Sequence, residues 1–266
     1  MTRLDWTGER LVPDRAAERV LKDHMSQYEH ILRNLPLSGK RVLDVACGVG
    51  LGSRLFAERG SATVMAVDIS NEAIRYGREH YAHPEVRYCL GDATRLPFGD
   101  QAFDVVISLE TLEHVARYQL FLQEVYRMLN AGGVFVISTP NRPITSPKSV
   151  PPNPFHVQEF SMAELHSLLS RYYPQMEWFG QHLIPGPLAN RLAHKLVYML
   201  SRRLVAMGAP DLEAQIYSLG GGFQPSPLTR LSRMFFEPRG LIVVCHKPGT
   251  PSRFGGAGTP SRSGGN

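Results

Sequence analysis

Between residues 41 and 139, the spacing of hydrophobic residues alternates between that of strands and that of helices. Five short apolar runs predict strands at 41–46, 62–69, 86–92, 103–109 and 132–140, namely RVLDVA, ATVMAVDI, VRYCLGD, FDVVISL and GGVFVISTP. The intervening segments GLGSRLFAERG, NEAIRYGREHYA and YQLFLQEVYRML have the spacing of amphipathic helices. Strands that alternate with helices of this length predict βαβ units and a parallel sheet.

The flanks of this region have different patterns. One amphipathic helix is predicted over 16–35, before the sheet, and five prolines in 141–160 predict an extended loop. A helix is predicted over 161–173, where Ser161 and Glu164 have the spacing of a capping box. Two further strands, MEWFGQHLI and GLIVVCHK, enclose an insert with a helix at 190–207, which we expect to act as a lid or a homodimer contact.

These elements predict one domain over residues 1–248 and a disordered, Gly/Ser/Pro-rich tail over 249–266. Its parts, in chain order, are an N-terminal helical lid (1–38), a ligand-binding core (39–140), a loop and helical insert on the acceptor side (141–238) and the last strand (239–248).

Composition narrows the class of protein without naming an activity. The apolar fraction of 43% and the charged fraction of 20% are those of a globular chain. Three cysteines without CxxC spacing predict neither a disulfide framework nor a zinc site, which favours a cytoplasmic location. No apolar run approaches the length of a membrane span. The net charge of +5 permits an anionic partner, but we find no nucleic-acid-binding module.

A glycine turn follows the first predicted strand in VLDVACGVGLGS, residues 42–53. Gly48 and Gly50 let the backbone approach a ligand closely, and the following helix start offers N–H donors. Asp68 lies twenty residues beyond Gly48, where an acid can accept hydrogen bonds from a ribose diol. Ser53 occupies the last glycine position of a dinucleotide fingerprint, and Asp44 suits a ligand with a positive amino group. A nucleotide-type ligand other than a dinucleotide is therefore predicted.

Five motifs in this order resemble those of class I S-adenosylmethionine-dependent methyltransferases: VLDVACGVGLG, AVDIS, GDATRLPF, FDVVISLETLEHV and LNAGGVFVIST. The resemblance covers roughly residues 40–140. It implies a Rossmann-like α/β fold with a seven-stranded, mostly parallel sheet, helices on both faces and an antiparallel last strand, GLIVVCH. TGERLVP and NPFHVQEFS add a resemblance to bacterial type-11-like methyltransferases.

The resemblance also implies which residues bind S-adenosylmethionine. Asp44 would bind the methionine amino group, Asp68 the ribose hydroxyls, and Asp92 the adenine amino group. The remaining contacts would line the methionine and ribose, pack on the adenine, or lie near the sulfonium: Ala46, Gly48, Gly50, Ile69, Ala93 and Leu109.

The segment SLETLEHV, residues 108–115, places Glu110, Glu113 and His114 just after the fourth predicted strand. Ligands of open α/β sheets bind beyond the carboxyl ends of strands, so these residues face the methyl acceptor. If a helical turn began at Glu110, all three would share one face. One interpretation is structural, with the acids at a helix start. A second makes His114 a general base oriented by a glutamate such as Glu110.

The third interpretation of SLETLEHV is a metal site. Glu110, Glu113 and His114, joined by His156 from the proline-rich loop, offer ligands that suit Mg²⁺, Mn²⁺ or Zn²⁺. The Glu-x-x-Glu-His pattern resembles that of small-RNA 2′-O-methyltransferases and of quinone-pathway O-methyltransferases. A metal there would lower the pKa of an acceptor hydroxyl.

The sequence therefore predicts methyl transfer to a small-molecule acceptor, with a hydroxyl on a sugar, polyol or natural product favoured over an amine. Two other classes stay open: an NAD(P)-dependent oxidoreductase, disfavoured by Ser53 and Asp44, and a nucleotide-binding module without catalysis, disfavoured by Asp44, Gly48 and Asp68. For the basic helix at 190–207, contact with a membrane surface is a minority interpretation.

Overall fold

The structure is a computed structural model that describes residues 11–12, 16, 18–147, 153–185, 225–228 and 236–249. The helix predicted at 190–207 and the tail beyond residue 249 lie outside these residues. No helix among the described residues combines the length and the apolar character needed to cross a membrane.

The described chain alternates strands and helices from its first helix onward. The helices are α1 (Glu18–Asn34), α2 (Leu51–Glu58), α3 (Asn71–His80), α4 (Tyr118–Met128), α5 (Arg142–Thr145) and α6 (Met162–Leu169), with a 3-10 turn at Leu112–His114. The strands are β1 (Arg41–Val45), β2 (Thr63–Asp68), β3 (Val86–Leu90), β4 (Phe103–Ser108), β5 (Leu129–Pro140), β6 (Gln175–Pro185), β7 (Ser226–Pro227) and β8 (Phe236–His246).

One sheet contains all of these strands in the order β3-β2-β1-β4-β5-β8-β6-β7. The first five strands pair in parallel, and β8 runs antiparallel between β5 and β6. This confirms the predicted mostly parallel sheet with an antiparallel last strand. The two-residue β7, which pairs with β6, is an addition to the seven predicted strands.

The central strands are buried on both faces because helices cover both sides of the sheet. In β1, Val42 packs into the cluster beneath α1 and α2, and Leu43 packs into the cluster beneath α4 and α6. This alternation follows from the period of two along a strand. Phe56 of α2 and Phe121 of α4 are fully buried on the two opposite faces.

Two helix starts were predictable from their caps. Ser70 accepts a hydrogen bond from Ala73 N and begins α3. Ser161 and Glu164 form the predicted capping box at the start of α6. The proline-rich loop departs from the prediction at its beginning, since Arg142–Thr145 form one short helical turn before the extended part.

Candidate functional site

The glycine turn after β1 is built from left-handed backbone. Ala46, Gly48 and Gly50 have φ angles of 58°, 57° and 83°. An added Cβ at Gly50 would collide with the ring of Tyr88, so this position requires glycine for space as well as for its backbone. The amide of Cys47 donates to the Val67 carbonyl at 2.9 Å and fixes the turn against the end of β2.

Asp68 connects this turn to the next helix. Its Oδ2 accepts the Gly48 N–H and its Oδ1 accepts the Ser70 N–H, each at 2.8 Å. An ionised carboxylate accepts up to about four hydrogen bonds, so a ribose diol is a chemically suitable further donor. The acid and the glycine turn therefore act as one preformed unit at the carboxyl ends of β1 and β2.

Asp44 is a buried acid within β1, with only 6% of its surface exposed. Burial raises the pKa of its carboxyl to about 7, the nearby Asp68 charge adds to this rise, and a hydrogen bond from Ser53 opposes it. That bond runs from Ser53 Oγ to Asp44 Oδ2 over 2.5 Å. A bound cation beside Asp44 would stabilise its ionised form, so the site suits a ligand ammonium group.

Ile69 and Asp92 lie on the side of the turn toward β3. Ile69 is 74% exposed, which is unusual for isoleucine and leaves an apolar surface next to Asp68. The Asp92 carboxylate accepts hydrogen bonds from Thr94 N and Thr94 Oγ1, both at 2.8 Å, and these bonds hold its pKa below the ordinary range. Ala93 is half-buried against the core. This part of the site therefore offers an apolar surface at Ile69 and a charged group at Asp92.

Glu110 does not begin a helical turn, contrary to the expectation. Its φ is 47°, in the left-handed region, and the 3-10 turn begins two residues later at Leu112. Its amide donates to Ser138 Oγ at 2.9 Å, and its carboxylate accepts from Ser138 Oγ at 2.6 Å and from Gln27 Nε2 at 3.3 Å. These contacts direct the Glu110 side chain toward β5 and α1.

The other three predicted ligands come together. One ligand atom from each of Glu113, His114 and His156 lies within 4.8 Å of the others, and the two imidazole rings meet edge to face with centroids 4.9 Å apart. Glu113 is 1% exposed, and burial, followed by the nearby Glu110 charge, raises its pKa well above the ordinary value. His114 Nδ1 lies 3.0 Å from the Phe155 carbonyl, a backbone group that orients the ring.

A polar cavity of about 400 Å³ lies on this side of the sheet. Its walls carry three carboxylates, three imidazoles and one guanidinium: Asp23, Glu110, Glu159, His24, His156, His182 and Arg239. Asp23 pairs with His182 and Glu159 pairs with His156, each at 2.6 Å, whereas Glu110 is held by the neutral Ser138 and Gln27.

Comparison with known proteins agrees with this geometry. A family model described as a methyltransferase domain matches residues 43–137. A probable S-adenosylmethionine-dependent methyltransferase of Mycolicibacterium smegmatis is 35% identical over 168 residues, which are 62% of this chain and 63% of that protein. Residues 43–137 therefore resemble a methyltransferase domain, and the chain is similar to S-adenosylmethionine-dependent methyltransferases.

Two further proteins are similar to this chain. A probable phthiotriol/phenolphthiotriol dimycocerosates methyltransferase 2 of Mycobacterium ulcerans is 37% identical over 125 residues, 47% of this chain and 48% of that protein. The methyltransferase solved in complex with the Haloferax volcanii Trm112 activator shares the fold, with a TM-score of 0.58, 19% identity, and coverage of 87% of this chain and 92% of that one. The chain thus spans less than two thirds of the curated relatives that it matches.

The residues of this site fit S-adenosylmethionine. Asp44 is a buried acid that a neighbouring cation would ionise, so it suits the ligand's ammonium group. Asp68, at the end of β2, suits the ribose diol, and the exposed apolar side chain of Ile69 beside it suits the purine. Leu109 directly follows β4, which pairs with β1, and its carbonyl accepts the Thr111 hydroxyl at 3.0 Å.

Three functional contacts were missing from the sequence-based predictions. Ser53 was noted only as an absent glycine, and it is the hydrogen-bond donor to Asp44. Glu159 holds His156 Nδ1, and the spacing His-x-x-Glu could have suggested this pair. Gln27 reaches Glu110 from α1 across 83 positions of sequence, which no local pattern could have indicated.

Proposed function

We propose that this chain transfers the methyl group of S-adenosylmethionine to a hydroxyl of a small, polyhydroxylated acceptor. Binding of S-adenosylmethionine, the donor half of the proposal, is supported by the preformed unit of Asp68, Gly48 and the buried Asp44 at the carboxyl ends of β1 and β2. S-adenosylmethionine supplies an activated methyl on a sulfonium centre. The protein contributes chiefly by holding the acceptor oxygen in line with that methyl.

The polar cavity supports a hydroxylated acceptor. Its acids and imidazoles can donate and accept several hydrogen bonds at once, as the hydroxyls of a sugar or polyol require. The Mycobacterium ulcerans relative is named for phthiotriol dimycocerosates, and a triol esterified twice keeps one hydroxyl, so that name supports a hydroxyl acceptor but not a polyol. We assign Glu110, on the cavity wall, to accept a hydrogen bond from the acceptor.

His114 is the proposed base. The Phe155 carbonyl can only accept a hydrogen bond, so His114 Nδ1 carries the proton in the neutral ring and Nε2 carries the lone pair. A base of this type takes the hydroxyl proton as the methyl arrives. A bound divalent metal could replace the base in this step, because it would lower the pKa of the hydroxyl before transfer.

An amine acceptor is the second candidate, because a cavity with three carboxylates favours a cation. Two of those carboxylates, however, have a histidine partner at 2.6 Å, which satisfies them without a ligand. Glu110 is left as the acid held by neutral groups, and one acid suits a hydroxyl as well as an ammonium. We therefore rank the hydroxyl first.

Calorimetric titration with S-adenosylhomocysteine tests the donor half. Asp68→Asn removes the charge next to the ribose and should weaken binding about tenfold or more, since hydrogen bonds to charged groups contribute roughly 1.5–3 kcal/mol. Asp100→Asn, at an exposed acid that pairs with Arg127, is the matched control and should bind as the unsubstituted protein does. Tight binding of NADH in place of S-adenosylhomocysteine would contradict the proposal.

The acceptor half is tested by release of S-adenosylhomocysteine with panels of polyols, catechols and amines. Turnover with hydroxyl compounds that is lost in Glu110→Gln supports the assignment. Turnover confined to amines would replace it with N-methyl transfer.

A further inference from the structure

Glu113, His114 and His156, which we call the His–His–Glu cluster, bring three electron-pair donors to one point. The ligand atoms lie within 4.8 Å of one another, and His114 Nε2 is 4.0 Å from Glu113 Oε1. Ligands held by one metal ion at about 2.1 Å lie roughly 3–4 Å apart. Small side-chain rotations would therefore bring the cluster to coordination distance.

Hydrogen bonds on the outer side of each ring fix which nitrogen carries the lone pair. His114 Nδ1 faces the Phe155 carbonyl at 3.0 Å, and His156 Nδ1 faces Glu159 Oε1 at 2.6 Å. Both partners are acceptors, so each Nδ1 donates its proton and each Nε2 holds a lone pair. The Asn153 amide, 3.0 Å from His156 Nε2, is the matching donor on that side.

The third donor is a carboxylate that is already oriented. Thr139 Oγ1 donates to Glu113 Oε2 at 2.9 Å, which turns Oε1 toward His114 Nε2. Glu113 is 1% exposed, and a buried carboxylate requires a counter-charge or a proton. Two imidazole lone pairs and an ionised carboxylate oxygen repel one another, and either a proton on Glu113 or a cation between the three groups relieves this repulsion.

We propose that the His–His–Glu cluster binds one divalent transition-metal ion at the edge of the acceptor cavity. Two imidazoles and one carboxylate suit Zn²⁺ or Mn²⁺ better than Mg²⁺, which prefers oxygen ligands throughout. Glu110 is not a ligand of this site, because its carboxylate is bound by Ser138 and Gln27.

The groups around the cluster orient its three ligands, as the groups around metal ligands do in proteins. Each of the three ligands has its own orienting partner, namely the Phe155 carbonyl, Glu159 and Thr139. Such partners fix ligand orientation and raise affinity. The remaining coordination positions take water or, if the proposed function holds, the acceptor hydroxyl, since His156 also lines the cavity. Metal binding at His156 Nε2 displaces the Asn153 amide.

The test is equilibrium dialysis of tag-free, chelator-treated full chain against Zn²⁺, Mn²⁺ and Mg²⁺ separately. We expect one equivalent of Zn²⁺ or Mn²⁺, bound at least about tenfold more weakly by His114→Ala, His156→Ala and Glu159→Gln. His24→Ala, a histidine on the cavity wall outside the cluster, is the matched control and keeps full affinity. Asn153→Ala binds at least as tightly as the unsubstituted chain, because the competing donor is gone.

Two results would overturn the inference. In the first, the unsubstituted chain binds neither Zn²⁺ nor Mn²⁺ stoichiometrically, and added Co²⁺ produces no visible absorption bands. The Co²⁺ measurement needs no variant. The other is equal binding by the folded His114→Ala and His156→Ala variants. Titration of S-adenosylhomocysteine into the same metal-stripped protein separates the two proposals: cofactor binding without metal binding removes only this inference, and metal binding without cofactor binding removes only the proposed methyl transfer.

Discussion

Ser53→Ala tests how the protein keeps a buried acid ready for a cationic ligand. Ser53 is fully buried, and its Oγ donates to Asp44 Oδ2 over 2.5 Å. Burial raises the pKa of Asp44 to about 7, with the serine acting in the opposite direction. Removing a hydrogen bond to a charged group costs about 1.5–3 kcal/mol, and about 1.4 kcal/mol corresponds to one pH unit.

Binding of S-adenosylhomocysteine through its ammonium requires ionised Asp44. In the unsubstituted protein, with a pKa of about 7, roughly half of Asp44 is ionised at neutral pH. In Ser53→Ala, the pH at which binding reaches half its limiting strength should rise by roughly one to two units. At neutral pH, the apparent affinity should then fall about 5- to 50-fold, since it scales with the competent fraction. At high pH the two proteins should converge.

The assay is calorimetric titration at a series of pH values from acidic to alkaline, with Ser61→Ala as the control. Ser61 is also a buried serine, and its Oγ donates to the Phe56 carbonyl, so its loss affects stability without touching Asp44. Stability should change with pH in the direction opposite to binding: because the folded pKa of Asp44 is raised, its burial destabilises the fold as pH rises from about 4 to about 7. Superimposable pH profiles for Ser53→Ala and the unsubstituted protein would refute the account.

Three further predictions concern stability. Gly50→Ala should lower the melting temperature by an amount corresponding to about 1–3 kcal/mol, because Gly50 has a φ of +83° and lies against the Tyr88 ring. The control Gly99→Ala, with no atom within 4 Å of its added Cβ, should leave the melting temperature unchanged, and equal melting curves for the two variants would contradict this prediction. Gln181→Leu should lower the urea-unfolding free energy by roughly 1–3 kcal/mol, because buried partners on α1 lose their bonds, and a neutral result would show that water replaces them. Glu164→Gln should cost about 1 kcal/mol at neutral pH, because glutamine can keep the capping hydrogen bonds but lacks the charge that strengthens them and pairs with Arg142. Since the pKa of Glu164 is lowered to about 2, the difference should vanish as pH falls from about 4.5 to about 2, and a difference that persists in acid would contradict the assignment.

The donor half of the site was predictable because it rests on local sequence. The strand, glycine turn and helix follow one another in the chain, and Asp68 ends the next strand, so spacing alone brings these residues together. The short apolar runs likewise predicted β1 to β5. The sequence could not reveal that Ser53, one turn into α2, points back to Asp44, since either a glycine or a serine allows that helix to form.

The acceptor half was less predictable because its contacts join distant segments. A helical turn from Glu110 was a reasonable expectation, but the backbone there is fixed by Ser138 on the neighbouring strand, which forces φ to 47°. Gln27 and Gln181, separated by 154 positions, share a hydrogen bond of 2.9 Å that connects α1 to β6. Such partners are set by strand order and helix placement, which the hydrophobic pattern does not specify residue by residue.

Hydrogen bonds within the chain hold the loops after β4 and β5 together. The Glu113 carbonyl accepts N–H bonds from Val157 at 2.9 Å and from Gln158 at 3.2 Å, and His114 is bound to the Phe155 carbonyl. A class I fold supports many reactions, so the reaction of this chain depends on the groups placed at the acceptor end. Because backbone bonds place both histidines and Glu113 together, their arrangement does not depend on the acceptor that occupies the cavity. The same reactive groups could therefore serve different hydroxylated acceptors, with selectivity arising from the cavity walls.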